Sequence, residues 1–139
     1  MRNISYIVFH CTATNPNAKP EAIQSYWKNN LGWKNPGYHY LISSDGIIHQ
    51  LADESIVCNG VAGYNSKSVH VSYIGGIDDN GAPHDTRTPE QIRSMKEMVV
   101  RLREKYPKAI IQGHRDFPNV HKACPSFDVK TWLKSVNIQ

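Results

Sequence analysis

The sequence predicts an α/β fold: a single domain over residues 1–139, with a central mixed β-sheet flanked by about three α-helices. Three observations carry this. Short β-branched and aromatic runs alternate with amphipathic helical stretches along the chain. Two of those runs are joined by an Asp-Gly turn, which predicts a hairpin within the sheet. The chain has 139 residues, 40% of them hydrophobic and 20% charged, which suits one packed core and excludes wholesale disorder.

Ile4 to His10 reads as a buried strand, a run of Ile4, Tyr6, Ile7, Val8 and Phe9 that ends at a histidine. Pro16 and Pro20 break the loop that follows, and Pro20 suits the first turn of a helix. There Ile23, Tyr26, Trp27 and Leu31 fall on one helical face, and Gly32 can end the helix. Tyr38 to Ser43 and Ile47 to Leu51 are the two arms of the hairpin around Asp45-Gly46. Val69 to Ile74 is a further strand, ended by Gly75-Gly76 and followed by a polar loop to Thr86. Thr88-Pro89-Glu90-Gln91 is a capping box with proline at the first helical position. The helix behind it aligns Ile92, Met95, Val99, Leu102 and Tyr106 and should stop before Pro107. Ala109 to Gln112 is a short strand ending at Gly113-His114. Val129, Trp132, Leu133 and Val136 form the stripe of a last helix, with Asp128 as its N-cap.

Composition narrows the function. No window reaches the ~18 consecutive apolar residues of a membrane span, so no stable membrane association is expected. The N-terminus has no signal-peptide pattern, which predicts a cytoplasmic protein. A net charge of +4 suits nucleic acid, anionic lipid or an acidic polymer and selects none of them. Lys96, Arg101, Arg103 and Lys105 lie on an amphipathic helix among acidic neighbours, a solvated face, so no nucleic-acid partner is expected. Three cysteines cannot all pair, and in a cytoplasm the default is reduced thiols, or a metal or catalytic role for at least one.

Two histidines, His10 and His114, close strands, where open α/β sheets place their ligands. Ten residues after His114 comes Cys124, in the context Lys122-Ala123-Cys124-Pro125. Two imidazoles and a thiolate form a catalytic zinc set that leaves a fourth position for water or substrate. The spacing leaves two readings open. Either these three meet at a metal, or the histidines merely end strands and Cys124 is a small core residue.

The chain also resembles a known family. The resemblance lies at Phe9-His10-Cys11-Thr12-Ala13-Thr14, Gly32-Trp33, Gly37-Tyr38-His39-Tyr40-Leu41-Ile42 and Gly63-Tyr64-Asn65. It continues at Gly75-Gly76-Ile77-Asp78, Gly113-His114-Arg115-Asp116 and Lys122-Ala123-Cys124-Pro125-Ser126-Phe127-Asp128. In these seven blocks, in order over nearly its whole length, the chain resembles the zinc-dependent N-acetylmuramoyl-L-alanine amidases. That family includes small phage endolysins and the peptidoglycan-recognition proteins. The resemblance implies Zn2+ held by His10, His114 and Cys124, with Tyr38 and Lys122 as the catalytic pair. It implies peptidoglycan as substrate, cut between the lactyl group of N-acetylmuramic acid and L-alanine. A small lytic enzyme of this kind is expected to be a monomer, kept in the cytoplasm and acting on the wall after release. Lys122 is expected to stabilise an oxyanion. Tyr38 has two roles open, holding the attacking water or helping proton transfer to the leaving amine. The alternative function is a non-catalytic muropeptide receptor. In such relatives the cysteine ligand is commonly replaced, whereas Cys124, Tyr38 and Lys122 are all present here.

Tyr64, Asn65 and His39 are the expected substrate contacts, with His39 on the opposite side of its strand from Tyr38 and at the rim of the groove. Trp33 either stacks on substrate or packs in the core. Asp116 either accepts from a ligand imidazole or caps its loop. His49, His70, His84 and His121 are expected as solvated or sheet-surface residues, and Cys11 and Cys58 as small buried hydrophobes, Cys11 pointing away from the metal. One departure from the family stands out. Many relatives carry a His-Ala pair beginning three residues ahead of the glycine of Gly63-Tyr64-Asn65, where this chain has Gly60-Val61-Ala62.

Overall fold

The computed structural model describes residues 2–136. Five strands form one sheet: β1 (Tyr6–Cys11), β2 (Tyr40–Ile42), β3 (Ile48–Gln50), β4 (Ser68–Tyr73) and β5 (Ile110–Gly113). Their order is β3-β2-β4-β1-β5. β1 runs parallel to both β4 and β5, and β2 parallel to β4, while β3 pairs antiparallel with β2. The sheet is therefore mixed, as the hairpin signal predicts. Three α-helices complete the fold: α1 (Pro20–Ser25), α2 (Pro89–Lys105) and α3 (Val129–Ser135). Among the described residues, no helix is long and apolar enough to cross a membrane.

Strand alternation divides the sheet into two faces with different tasks. Ile7, Phe9, Val69, Val71, Tyr73 and Ile111 share one core with Met95, Met98, Val99 and Leu102 of α2 and Trp132 and Leu133 of α3. The other face is covered more thinly, by Val61 and Phe117 over Val8 and by Ile23 and Trp27 over Leu41 and Ile74. On this second face the register sets Val8 beside His70 and His10 beside Ser72. Both histidines therefore leave the sheet on the same side.

The capping signals form as read. Thr88 Oγ1 accepts from the Gln91 N–H at 3.0 Å, and Gln91 Oε1 accepts from the Thr88 N–H at 3.0 Å. Asp128 Oδ1 accepts from the Thr131 N–H at 3.1 Å and starts α3. The hairpin turns at Gly46, whose φ of +86° is cheap only for glycine. Its arms are shorter than expected, and Tyr38 and His39 precede β2 instead of opening it. There the chain bends to lay Gly37 against Trp27, where an added Cβ would come within 3.0 Å of the indole.

The first helix departs from its simple periodicity. After Ser25 it widens into a π-helical turn, Tyr26–Asn30, closed by the Leu31 N–H donating to Tyr26 O at 3.1 Å. An extra residue per turn rotates the positions that follow off the 3.6-residue stripe. Ile23 and Trp27 stay buried, whereas Tyr26 and Leu31 are 53% and 42% exposed.

Candidate active site

His10 lies one residue from the end of β1, buried on the thinly covered face. His114 opens a short 3-10 turn, His114–Asp116, directly after β5. Asp116 Oδ2 accepts from the Gly113 N–H at 2.8 Å, so of its two open roles the structure shows the capping one. Cys124 arrives from the loop before α3, and its Sγ accepts from the Cys11 N–H at 3.2 Å. One donor atom from each of His10, His114 and Cys124 lies within 4.8 Å of the others. Sγ stands 3.9 Å from His10 Nδ1. A tetrahedral zinc, with bonds of about 2.0–2.3 Å, needs its donors roughly 3.5 Å apart, so the set closes on an ion with small shifts.

The protonation states suit a cation too. Burial, followed by the nearby His70 and His114, holds His10 well below the usual imidazole range. Burial lowers His114 to about 4, with the Lys122 charge adding to it. Both rings are therefore neutral near pH 7, each with one lone pair to give. The Cys11 thiol beside it and burial push the Cys124 thiol up, and a bound cation would favour its thiolate. Two neutral imidazoles and one sulfur would fit zinc, and all three residues border open space.

That space is a cavity of ≈ 760 Å³, with the three donors in its wall. Tyr38, Trp33, Tyr64, Lys122 and His121 also line it. The Tyr38 ring packs 4.9 Å from that of His10, and its Oη donates to Cys11 O at 3.2 Å. Burial pushes the Tyr38 phenol up, and the Cys124 and Cys11 sulfurs push in the same direction, so Oη keeps its proton. Lys122 is exposed at the rim. Trp33 lines the cavity and also stacks on Trp27, 6.3 Å between centroids, so of its two open readings the structure shows the packing one. The Tyr64 ring is propped by Tyr6 and Phe117.

A family model described as N-acetylmuramoyl-L-alanine amidase matches residues 1–127. The chain belongs to this amidase family. The endolysin of Enterobacteria phage K11 is 39% identical over 132 residues, covering 94% of this chain and 86% of that protein. The endolysin of Escherichia phage T7 is 39% identical over 128 residues, covering 91% and 83%. Among solved structures, the N-acetylmuramoyl-L-alanine amidase LysC of Clostridium intestinale superposes with a TM-score of 0.82. It is 26% identical, and the match covers 99% of this chain and 88% of that one.

Two of the expected substrate contacts lie elsewhere in this amidase. His39 and Asn65 do not line the cavity. His39 is fully buried: its Nδ1 accepts from the His70 N–H at 3.0 Å, so Nε2 carries the proton and donates to Ile56 O at 2.7 Å. The Asn65 carboxamide is turned inward, where Oδ1 accepts from the Val61 N–H at 2.7 Å. His70 is corrected as well. It is fully buried, not solvated, and meets His10 Nε2 at 2.9 Å and Asn65 Oδ1 at 3.0 Å. A signal for it existed in the sequence, because Val69, Val71 and Tyr73 claim one face of the strand and send His70 to the face of His10.

The other histidines and cysteines sort simply. His84 and His121 are exposed, while His49 is half-buried and hydrogen-bonds Ser43 Oγ at 3.0 Å. Cys11 belongs to the main core, and its thiol, backbone N–H and C=O all lie beside Cys124 Sγ. Cys58 is buried and its thiol is pushed up to about 12 by that burial.

Proposed function

We propose that this amidase is a zinc-dependent, endolysin-type enzyme that cuts peptidoglycan between the lactyl group of N-acetylmuramic acid and L-alanine. His10, His114 and Cys124 are its zinc ligands, and Tyr38 and Lys122 its catalytic pair. One observation carries the reading: two neutral imidazoles and a sulfur converge within 4.8 Å in the wall of an open cavity that a protonated phenol and an ammonium also border. The endolysins of phages K11 and T7, alike to this chain over most of their length, support the lytic role.

A bound zinc supplies Lewis acidity and a water nucleophile usable near pH 7. The remaining work falls to the chain. Tyr38 keeps its proton, so Oη acts as a donor and not as a base. Swinging from Cys11 O, it can donate to an oxygen of the reacting amide, and hand on its proton only as the leaving amine becomes strongly basic. Lys122, in the cavity wall near the ligands, places a positive charge where the carbonyl oxygen becomes an oxyanion. Tyr64 offers an aromatic wall to the stem peptide or glycan.

Digestion of purified peptidoglycan, with and without a chelator, tests this. New L-alanine amino termini that vanish with chelator and return with zinc are the expected products. Reducing sugar ends would mean a different bond is cut. Binding to the wall with neither product would leave a receptor.

A further inference from the structure

The lone pair that His10 offers has to come from somewhere, because an imidazole with its proton on Nδ1 cannot ligate through that atom. The structure contains a hydrogen-bonded chain that decides the matter. It begins at the Val61 N–H, which can only donate, so the Asn65 atom 2.7 Å away is the carbonyl oxygen Oδ1. That same oxygen faces His70 Nε2 at 3.0 Å, and His70 Nε2 therefore carries a proton. A neutral imidazole has one N–H, so His70 Nδ1 is bare and accepts. His10 Nε2, 2.9 Å from it, must donate. This leaves Nδ1 of His10 without a proton, on the side of the ring that faces Cys124 Sγ. Among the described residues neither ring hydrogen-bonds a carboxylate that would favour its charged form.

The fit around His70 is tight. Gly60 lies against its ring, and an added Cβ there would stand 2.3 Å from Nδ1 and 2.5 Å from Cε1. His39 stacks on the ring with 16° between planes, its Nδ1 taking the His70 backbone N–H. The family departure noted in the sequence falls at Gly60. The strand imidazole of His70 now fills the volume into which a loop side chain at 60 would project.

We propose that His70, set by Asn65, is a positioning residue that holds the His10 ring in the orientation and tautomer whose Nδ1 takes the metal. This rests on the zinc-amidase reading, and it gives the otherwise unused buried His70 a task. A partner to the second nitrogen of a ligating histidine raises ligand basicity and fixes the ring.

Two measurements test it, neither of which uses peptidoglycan. The first is ring-nitrogen NMR of the metal-free protein, expected to show His10 and His70 each protonated at Nε2 and bare at Nδ1. The second is zinc affinity by chelator competition. His70→Leu should bind zinc about 10–100-fold more weakly. His70→Asn, whose Oδ1 can accept where Nδ1 did, should stay close to the unaltered protein. A proton on His10 Nδ1 would overturn the proposal, as would undiminished zinc affinity in His70→Leu. Equal loss in His70→Asn and His70→Leu would assign the effect to packing and overturn it too. If His70→Leu fails to fold, the NMR result and His70→Asn still decide. Should zinc bind as expected while peptidoglycan stays intact, the amidase reading fails and this one stands.

Discussion

The buried histidines make the metal-free protein acid-labile, in a pH window that can be worked out. His10 and His70 lie inside the fold at 1% and 0% exposure. Burial holds His10 well below its ordinary value and lowers His70 from 6.5 to about 3. As pH falls through 6.5 the unfolded chain takes up these protons and the folded one does not, so stability falls with pH. Between pH 7 and 5 the loss depends only on the unfolded value, as long as the folded rings stay neutral. It amounts to about 2 kcal/mol per histidine, or about 4 kcal/mol for the pair. His114, lowered to about 4 and so still neutral at pH 5, and the buried His39, also lowered, add losses in the same direction. Against a total stability of roughly 5–15 kcal/mol this is a large fraction. The melting temperature should drop by roughly 10–20 °C across those two pH units.

Carboxylates do not blur this window. Burial alone would raise Glu54, but hydrogen bonds from Tyr106 Oη at 2.6 Å and Tyr40 Oη, with Lys105 Nζ at 3.0 Å, hold it below its ordinary range. Its contribution is lost only as pH falls below about 4.5. Thermal melts of chelator-treated protein from pH 7 to 5 are the assay, with His70→Asn beside it. The variant removes one titrating ring and should lose about 2 kcal/mol of the pH dependence. A melting temperature flat across the window, or a slope unchanged in His70→Asn, would refute the reasoning.

Four further outcomes are expected. Lys122→Ala should lower turnover on peptidoglycan about 10²–10³-fold while zinc content by metal analysis stays at one per chain, since Lys122 supplies charge and not ligation. Gln91→Leu removes the reciprocal half of the α2 capping box and leaves the carbonyls of Ile42 and Ile74 without the Nε2 donor now at 3.1 Å from each, so urea unfolding should show a loss of about 2–4 kcal/mol. Gly60→Ala should displace the His70 ring and cost about 1–3 kcal/mol together with zinc affinity. Gly63→Ala, at φ +87° with nothing within 4 Å, should cost stability alone, both variants being compared by urea unfolding and chelator competition.

What was legible in the sequence was whatever local chemistry decides. The Thr88–Gln91 box caps α2, Asp128 caps α3, and Asp45-Gly46 turns the hairpin, because each needs only neighbours within three or four residues. The approach of His10 to His114 was half legible, and Cys124 as a third member of the group was decided only by the family resemblance. His10 and His114 end adjacent parallel strands, and parallel strands deliver their C-terminal ends to one edge of the sheet. What remained hidden depends on partners distant in sequence. The π-helical turn at Tyr26–Asn30 follows from how Trp27 packs under Gly37 and Tyr38, which the period of the helix does not encode.

His70 and Asn65 belong to the same class. A histidine among β-branched residues reads as a surface position when nothing says which strand is central. Once β4 is known to lie between β2 and β1, no solvated face remains for it, and a buried imidazole needs two partners or a large penalty. Its partners are His10, 60 residues away, and Asn65, five residues away. The loop motif Gly63-Tyr64-Asn65 thus divides its labour. Tyr64 lines the cavity, and Asn65 turns inward to His70 Nε2, behind His10. One short turn therefore serves both the wall of the groove and the set of its donor atoms, and this explains why an amide looked like a substrate contact from sequence alone.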